Sequence, residues 1–130
     1  MNNKNILIVD DEAMFRFSLK IILKKHGFMV YEAGNGLEGL EVLSNQGLKV
    51  DLVITDIKMP KMGGLEMIEN MVRQGGKPEI IAMTGYGEKD TQSRLKKMNC
   101  KWLLFKPFKA DDLLRTVNAA IGKLECVACS

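Results

Sequence analysis

Apolar and polar positions along this chain follow a regular alternation of two patterns. Five short runs are almost continuously apolar, and they predict β-strands at residues 5–9, 28–32, 51–55, 79–83 and 102–105. Between them, apolar residues recur at spacings of three and four, which predicts helices at 13–26, 37–44, 65–73, 88–98 and 110–121. Continuously apolar strands are typical of a sheet that is covered on both faces. We therefore expect helices on both sides of one sheet.

The strand–helix alternation also determines the fold class. It indicates a doubly wound α/β domain with a five-stranded parallel sheet and right-handed crossovers. The 130 residues suffice for one such domain and not for two. Ligands of these folds bind outside the carboxyl ends of the strands. The residues that follow each strand are therefore the candidate functional residues.

The composition indicates a globular protein without a membrane segment. Hydrophobic residues make up 46% and charged residues 27% of the chain, a common balance for a folded domain. No apolar run approaches the roughly 20 residues of a membrane span. The run at residues 6–9 is also too short for a signal-peptide core, so we expect a cytoplasmic location. The net charge of +3 is spread along the chain and indicates no nucleic-acid partner.

The three cysteines do not have the spacing of a disulfide framework. Cys126 and Cys129 form a single C-x-x-C at the end of the chain. Zinc would need two more ligands, and the one histidine, His26, is far away in sequence. We predict no metal or redox function for this pair, and the sequence leaves its role open.

Charged and hydroxyl side chains follow four of the five predicted strands. Asp10 and Asp11 come after the first strand, Asp56 after the third, Thr84 after the fourth and Lys106 after the fifth. Clustered carboxylates raise one another's pKa unless a cation intervenes, and Mg²⁺ suits an open site of carboxylates and water. Together with a lysine and a hydroxyl, such a site can stabilise a phosphoryl group during transfer.

Each of these residues also has an ordinary structural explanation. An acidic pair at the start of a helix often serves as an N-terminal cap. A single threonine is usually a turn residue, and a single lysine is usually a surface residue. The prediction of a phosphoryl-transfer site therefore rests on the combination of positions at successive strand ends.

Five motifs in fixed order carry a family resemblance from about residue 4 to residue 121. They are Val9-Asp10-Asp11-Glu12, the segment 51–60 (DLVITDIKMP), Met62-Gly63-Gly64, Met83-Thr84-Gly85-Tyr86-Gly87 and Lys106-Pro107-Phe108. This ordered set resembles the signatures of response-regulator receiver domains. The resemblance implies a (βα)5 flavodoxin-like fold with strand order 2-1-3-4-5. It also implies a receiver domain at residues 1–121, followed by a C-terminal tail at 122–130.

The resemblance implies a Mg²⁺ site at the acidic residues. Asp11 and Asp56 would bind the ion directly, together with the backbone carbonyl of Lys58. Asp10 would hold a metal-bound water. The turn formed by Met59-Pro60 and Gly63-Gly64 would let the backbone approach the site.

The resemblance likewise implies that Asp56 is the phosphoacceptor. It would receive a phosphoryl group from a sensor histidine kinase or a phosphotransfer protein. Lys106 would pair with the phosphoryl oxygens, and Thr84 would move to hydrogen-bond them after transfer. The Lys106-Pro107 bond is expected to be cis.

Such a domain signals rather than turning over external substrates, and catalyses only its own phosphorylation and dephosphorylation. Output is expected through altered contacts with an unknown protein target, and a dimer that forms on phosphorylation is also compatible with the resemblance. Met14, Phe15 and Phe17 on the first helix form the expected docking face for the phosphodonor, although Phe15 is predicted to face the core. The sequence leaves open whether the receiver acts alone or within a longer regulator or hybrid kinase.

Two other functions agree with single features of the sequence. Residues 34–39 form a literal G-x-G-x-x-G with Asp56 about twenty positions on, which suggests dinucleotide binding. A complete strand–helix unit precedes this segment, and Asp10 and Asp11 would repel a pyrophosphate.

An aspartyl phosphatase of the haloacid-dehalogenase type also uses a nucleophilic Asp with Mg²⁺. It requires a second Asp two residues on, where this chain has Lys58.

The chain departs from many receivers on the fifth strand. Leu103 stands where they carry a Tyr or Phe that changes rotamer as the Thr moves. Strand alternation places Leu103 and Phe105 on one face. We predict that output passes through the segment after Thr84, with Tyr86 replacing the aromatic, and the alternative is that Leu103 only packs and the switch is weak. Lys58 and Tyr86 flank the path of the hydrolytic water in receivers, so we predict a slowly decaying phosphorylated form.

Overall fold

The computed structural model describes residues 4–75, 78–85 and 89–129, with side chains of the last helix described as far as Gly122. The strands are β1 (Asn5–Val9), β2 (Met29–Ala33), β3 (Leu52–Asp56), β4 (Glu79–Gly85) and β5 (Trp102–Lys106). The helices are α1 (Ala13–Lys25), α2 (Gly36–Leu43), α3 (Gly64–Arg73), α4 (Lys89–Lys97) and α5 (Ala110–Cys129). All ten elements predicted from the sequence are present, in the predicted order.

The five strands form one parallel sheet in the order β2-β1-β3-β4-β5. The strand β1 lies second in this order and pairs with both β2 and β3, so that Val9 lies beside Ala33 on one side and Thr55 on the other. Because all strands run the same way, their carboxyl ends meet at one edge of the sheet. The predicted (βα)5 fold and strand order are confirmed.

Helices cover both faces of the sheet. Successive strand residues point to opposite faces, so Ile6 and Ile8 of β1 pack in a cluster with residues of α1 and α5. Leu7 and Val9 pack on the other face against a cluster that includes Met67 of α3. All four of these β1 side chains are fully buried, which explains why the strand is continuously apolar rather than alternating.

Most boundaries lie within two residues of the sequence prediction, and the start of β2 and the end of α5 illustrate the differences. The strand β2 begins at Met29, because the backbone amide of Phe28 donates a hydrogen bond to the carbonyl of Leu23 and belongs to the turn that ends α1. The helix α5 continues to Cys129, so its backbone includes most of the predicted tail. No proline interrupts the chain after residue 121, and the division into a domain and a tail stays a prediction.

Among the described residues, no helix combines the length and the hydrophobicity that a membrane crossing requires. The side chains of Cys126 and Cys129 lie outside the described part of the chain.

Candidate functional site

Three carboxylates meet at the carboxyl-terminal edge of the sheet. Asp10 and Asp11 follow β1, and Asp56 is the last residue of β3, the neighbouring strand. One side-chain oxygen from each of the three lies within 4.8 Å of the others. The three carboxylates therefore lie together in the structure, as the sequence predicted.

Asp10 is the buried member of this group, with no exposed surface. Its Oδ1 accepts a hydrogen bond from the backbone amide of Glu12 at 2.8 Å, and its Oδ2 lies 3.3 Å from Nζ of Lys106. Burial raises the pKa of the Asp10 carboxyl, and the nearby Asp56 adds to that rise. The Glu12 amide and the Lys106 ammonium act in the opposite direction without cancelling it. The ionised form of Asp10 is thus less stable here than in water.

Lys106 reaches the acidic group from the end of β5. Its Nζ lies 3.2 Å from Oδ2 of Asp56 as well as close to Asp10. Burial acts to lower the pKa of the lysine, but the charges of Asp56 and Asp10 outweigh burial and raise this pKa above its ordinary value. The side chain is therefore a permanent cation at the site. The Lys106-Pro107 bond is cis, as expected.

The two carboxylate oxygens of Asp56, like those of Asp10, have different partners. Oδ1 accepts a hydrogen bond from the backbone amide of Ile57 at 2.8 Å, whereas Oδ2 faces Lys106. The side chain is 17% exposed, so a reactant can approach it from solvent. The Thr55 hydroxyl donates a hydrogen bond of 2.7 Å to the Asp56 carbonyl and fixes the backbone at this point.

Two glycines allow the start of α3 to lie against the Asp56 backbone. A Cβ on Gly64 would come within 2.1 Å of the Asp56 carbonyl oxygen, and one on Gly63 within 2.6 Å of the Ile57 carbonyl oxygen. The amide of Gly64 donates a hydrogen bond to that Ile57 carbonyl at 2.8 Å. The intervening loop carries Lys58, which is exposed. Glycine is therefore needed at both positions, because any side chain there would keep the start of α3 away from the backbone of Asp56 and Ile57.

Thr84 lies on β4 one residue after Met83, the register partner of Asp56. It is almost fully buried, and its hydroxyl donates a long hydrogen bond of 3.5 Å to the Gly85 carbonyl. The structure thus places Thr84 at the predicted edge, next to the strand that carries Asp56.

The register of β5 distinguishes between the two residues that the sequence placed on one face. Leu103 pairs with Ala82, and packs with it against a cluster that includes Ile68 and Leu95. Phe105 pairs with Thr84. The aromatic residue beside the threonine is therefore Phe105, which sequence reasoning did not single out. Tyr86, the predicted replacement, lies outside the described residues.

The G-x-G-x-x-G segment serves helix capping and packing. Oδ1 of Asn35 accepts a hydrogen bond from the Glu38 amide at 3.0 Å, and Oε1 of Glu38 accepts one from the Gly34 amide at 2.8 Å. These are amides that a dinucleotide-binding helix would present to phosphate. A Cβ on Gly36 would lie 2.7 Å from the side chain of Met62. The glycine is explained by this close packing.

Arg16 of α1 supports the site from behind and was missed in the sequence analysis. One guanidinium nitrogen donates a hydrogen bond to the Asp10 carbonyl, while Nε lies 3.1 Å from Oε1 of Glu32 on β2. Lys20 contacts the other oxygen of Glu32 at 3.2 Å. Partial burial acts to raise the pKa of Glu32, but these two cations outweigh it and lower that pKa. No short sequence motif links Arg16 to Glu32, because the pair forms only when α1 packs beside β2.

The cluster of three carboxylates has the chemistry of a site for a hard divalent cation. Such ions prefer carboxylate and carbonyl oxygens, and Asp10, Asp11 and Asp56 offer three carboxylates in one cluster. The raised pKa of Asp10 also indicates that its negative charge lacks full compensation from the protein.

A five-stranded doubly wound domain with an acidic cluster, a lysine and a threonine at one sheet edge defines the receiver class of signalling domains. The response regulator receiver domain family matches residues 6–118, and the chain belongs to this family. It is therefore a receiver domain of two-component signalling, a class that interacts with histidine kinases or phosphotransfer proteins. The dinucleotide and phosphatase interpretations are set aside.

Individual relatives agree with this assignment. The chain is 34% identical over 118 residues to sporulation initiation phosphotransferase F of Bacillus subtilis, covering 91% of this chain and 94% of that protein. It is also 34% identical over 118 residues to the chemotaxis protein CheY of the same organism, covering 90% and 97% respectively. A crystal structure of a receiver domain protein from Clostridium thermocellum superposes with a TM-score of 0.86 at 31% identity, covering 95% of this chain and 98% of that one.

Proposed function

We propose that Asp56 is the phosphoacceptor of this receiver domain. The observation that carries the proposal is the contact of 3.2 Å between Nζ of Lys106 and Oδ2 of a carboxylate that is partly open to solvent. Asp10, the other carboxylate that Lys106 contacts, is fully buried and bonded to the Glu12 amide. Asp56 is therefore the better placed of the two for attack on an incoming phosphoryl group.

The donor is a phosphohistidine of a sensor histidine kinase or of a phosphotransfer protein. A carboxylate oxygen of Asp56 forms a bond to phosphorus while the bond between phosphorus and the histidine nitrogen breaks. The imidazole nitrogen keeps the electron pair and takes up a proton, and Asp56 becomes an acyl phosphate. The Lys106 ammonium offsets negative charge on the phosphoryl oxygens, and the Thr84 hydroxyl hydrogen-bonds one of them after transfer.

The acidic cluster is proposed to hold Mg²⁺ during this reaction. Asp11 and Asp56, with the backbone carbonyl of Lys58, would bind the ion directly, and Asp10 would act through a water. The ion supplies positive charge that reduces the repulsion between the carboxylates and an incoming phosphoryl group.

The donor is proposed to dock on α1 beside the site. Met14, Phe17 and Ile21 are 79%, 55% and 52% exposed, and their spacing of three and four places them on one side of the helix. Exposed apolar side chains in a row are typical of a protein–protein contact. Phe15 packs against the core, as the sequence predicted, and the docking role stays a prediction.

The protein is proposed to act in the cytoplasm as a signalling domain rather than as an enzyme with an external substrate. Phosphorylation alters its contacts with a downstream protein, or between two copies of the chain. Neither nucleic acid nor a membrane is a proposed partner.

Mass spectrometry after incubation with acetyl phosphate and Mg²⁺ tests the phosphoacceptor assignment. We expect the wild-type protein to gain one phosphate, and Asp56→Asn to gain none. Asp111→Asn, which alters an exposed carboxylate at the start of α5, is the matched control and should gain one phosphate. If Asp56→Asn gains phosphate as fast as the wild type, the assignment is wrong.

A further inference from the structure

The ammonium of Lys106 has a neighbour that the proposed chemistry does not explain. Besides Asp10 and Asp56, it faces the ring of Phe15, with Nζ 4.6 Å from the ring centroid. This distance is within the range of a cation–π interaction, in which the negative face of the ring attracts the charge. The ammonium therefore lies between two carboxylates and one aromatic face.

Phe15 is itself held in place from two directions. It projects from α1 and packs against the main core cluster. Its ring also meets that of Phe108, with centroids 5.8 Å apart and planes at 68°, an edge-to-face arrangement. Phe108 follows the Lys106-Pro107 pair, so the ring that meets Phe15 belongs to the segment that carries the lysine.

The three neighbours of the ammonium respond differently to phosphorylation. When the acyl phosphate forms, the negative charge at Asp56 moves from its carboxylate to the phosphoryl oxygens, and Asp10 would face a metal-bound water. The attraction of the Phe15 ring does not depend on the state of Asp56. A lysine side chain has four rotatable bonds, so a neighbour that acts in both states restricts where its charge can lie.

We infer that Phe15 is a positioning residue, which keeps the Lys106 ammonium at the edge of the site before and during phosphoryl transfer. The inference rests on the proposed role of Lys106 toward the phosphoryl oxygens. Phe15 does not touch the reacting atoms and acts only through the lysine.

Fluorinated phenylalanines separate this role from simple packing. Placed at position 15, mono-, tri- and pentafluorophenylalanine keep nearly the same shape and apolar character while the negative ring face weakens stepwise. We expect the rate of phosphorylation by acetyl phosphate to fall in that order. For Phe15→Leu we expect a fall of about two- to tenfold, the range that corresponds to a partly screened cation–π contact.

Phe28→Leu is the matched control, because Phe28 is a buried phenylalanine of the same core cluster. It should lower thermal stability without a comparable effect on the phosphorylation rate. Phe15→Tyr, which keeps an aromatic face, should retain most of the wild-type rate. Equal rates across the fluorinated series, or a faster reaction in Phe15→Leu, would overturn the inference.

A magnetic resonance measurement on the Mg²⁺-free protein tests the contact without any phosphorylation. Protons above an aromatic face are shifted upfield, so the ε-methylene protons of Lys106 should show this shift. The shift should disappear in Phe15→Leu and persist in Phe28→Leu. An unchanged resonance in Phe15→Leu contradicts the positioning role. A wild-type protein with the shift but without phosphate on Asp56 contradicts the proposed function instead.

Discussion

The ammonium of Lys106 lies 3.2 Å from Oδ2 of Asp56, although the strands that end at these residues are separated by β4. The lysine side chain therefore passes over the end of the intervening strand. Its charge joins two strand ends that share no backbone hydrogen bonds. The contact is an electrostatic link across the carboxyl-terminal edge of the sheet.

Lys106→Met should destabilise the Mg²⁺-free protein at neutral pH. The substitution leaves the carboxylates of Asp10 and Asp56 without their shared cation, and the loss of a charged partner typically costs about 1–3 kcal/mol. Urea unfolding at pH 7 measures the change in the free energy of unfolding. Added Mg²⁺ should reduce the deficit, because an ion that binds only the folded state stabilises it. A deficit that Mg²⁺ leaves unchanged would argue against a shared site.

Asp10→Asn should stabilise the Mg²⁺-free protein at neutral pH. Burial raises the pKa of Asp10, so the ionised carboxylate disfavours the folded state, and a neutral amide of the same shape removes that cost. Since the folded-state pKa lies above the ordinary value of 3.8, the cost is absent below about that pH and develops as the pH rises through the folded-state pKa. Melting temperatures from pH 3 to pH 8 measure this trend.

In that series the advantage of Asp10→Asn over the wild type should be smallest at the acid end and largest near neutrality. Asp111→Asn provides the comparison for an exposed carboxylate, and its difference from the wild type should be small throughout. An Asp10→Asn protein that melts below the wild type at pH 7 without Mg²⁺ would contradict the prediction.

Gly64→Ala should destabilise the fold and displace the backbone of Asp56, the proposed phosphoacceptor. The added Cβ would lie 2.1 Å from the Asp56 carbonyl oxygen, so α3 or β3 must shift, and overpacking of this kind costs about 1–3 kcal/mol. Chemical denaturation and the phosphorylation rate should both change. Gly47→Ala is the control, because its nearest neighbour is a side-chain oxygen at 3.4 Å. Equal stability of the two variants would mean that the start of α3 is less closely packed against Asp56 than the distance of 2.1 Å implies.

The phosphorylated form should decay slowly, and Lys58→Ala should accelerate the decay. A long cation beside Asp56 can shield the acyl phosphate from attacking water, and Lys58 is exposed in the loop directly after Ile57. The lifetime is measured by phosphate release from the isolated phosphoprotein. Lys49→Ala, an exposed lysine outside the site, should leave the lifetime unchanged. A wild-type lifetime of only seconds would rule out shielding.

Tyr86→Ala should weaken the transmission of phosphorylation to α4. The sequence predicts that output passes through the segment after Thr84, and α4 begins at Lys89. Amide chemical shifts of α4, compared before and after phosphorylation, measure the transmission. Tyr31→Ala serves as the control tyrosine variant. If the shifts in α4 are the same in Tyr86→Ala as in the wild type, the tyrosine is not the relay, and Phe105 becomes the next residue to test.

The positions of the site residues were predictable because they depend on topology alone. In a parallel doubly wound sheet all carboxyl ends share one edge, so Asp10, Asp56, Thr84 and Lys106 had to meet once the strands were recognised. Helix ends were also predictable where a local signal exists. Gly27, with a φ of +91°, lies just after α1, where a glycine is a common sequence signal for the end of a helix.

Other features depend on contacts between elements that no local pattern specifies. The pairing of Phe105 with Thr84 requires the register of β4 and β5, whereas alternation alone placed Leu103 on the same face. The position of Phe15 over Lys106 requires the packing of α1 against the end of β5. The sequence predicted that Phe15 would face the core, which is confirmed, but its contact with the lysine was not predicted.

The guanidinium of Arg16 holds the Asp10 carbonyl and the Glu32 carboxylate at the same time. The backbone that presents Asp10 is thereby fixed to β2, an outer strand of the sheet, before any cation or phosphoryl group arrives. Ordering of this segment is completed during folding, so ligand binding does not bear its entropic cost. Glu32 on β2, through Arg16, therefore helps to hold the backbone of Asp10 in place, and we expect a redesign of this receiver to lose order at the acidic cluster unless this pair is kept.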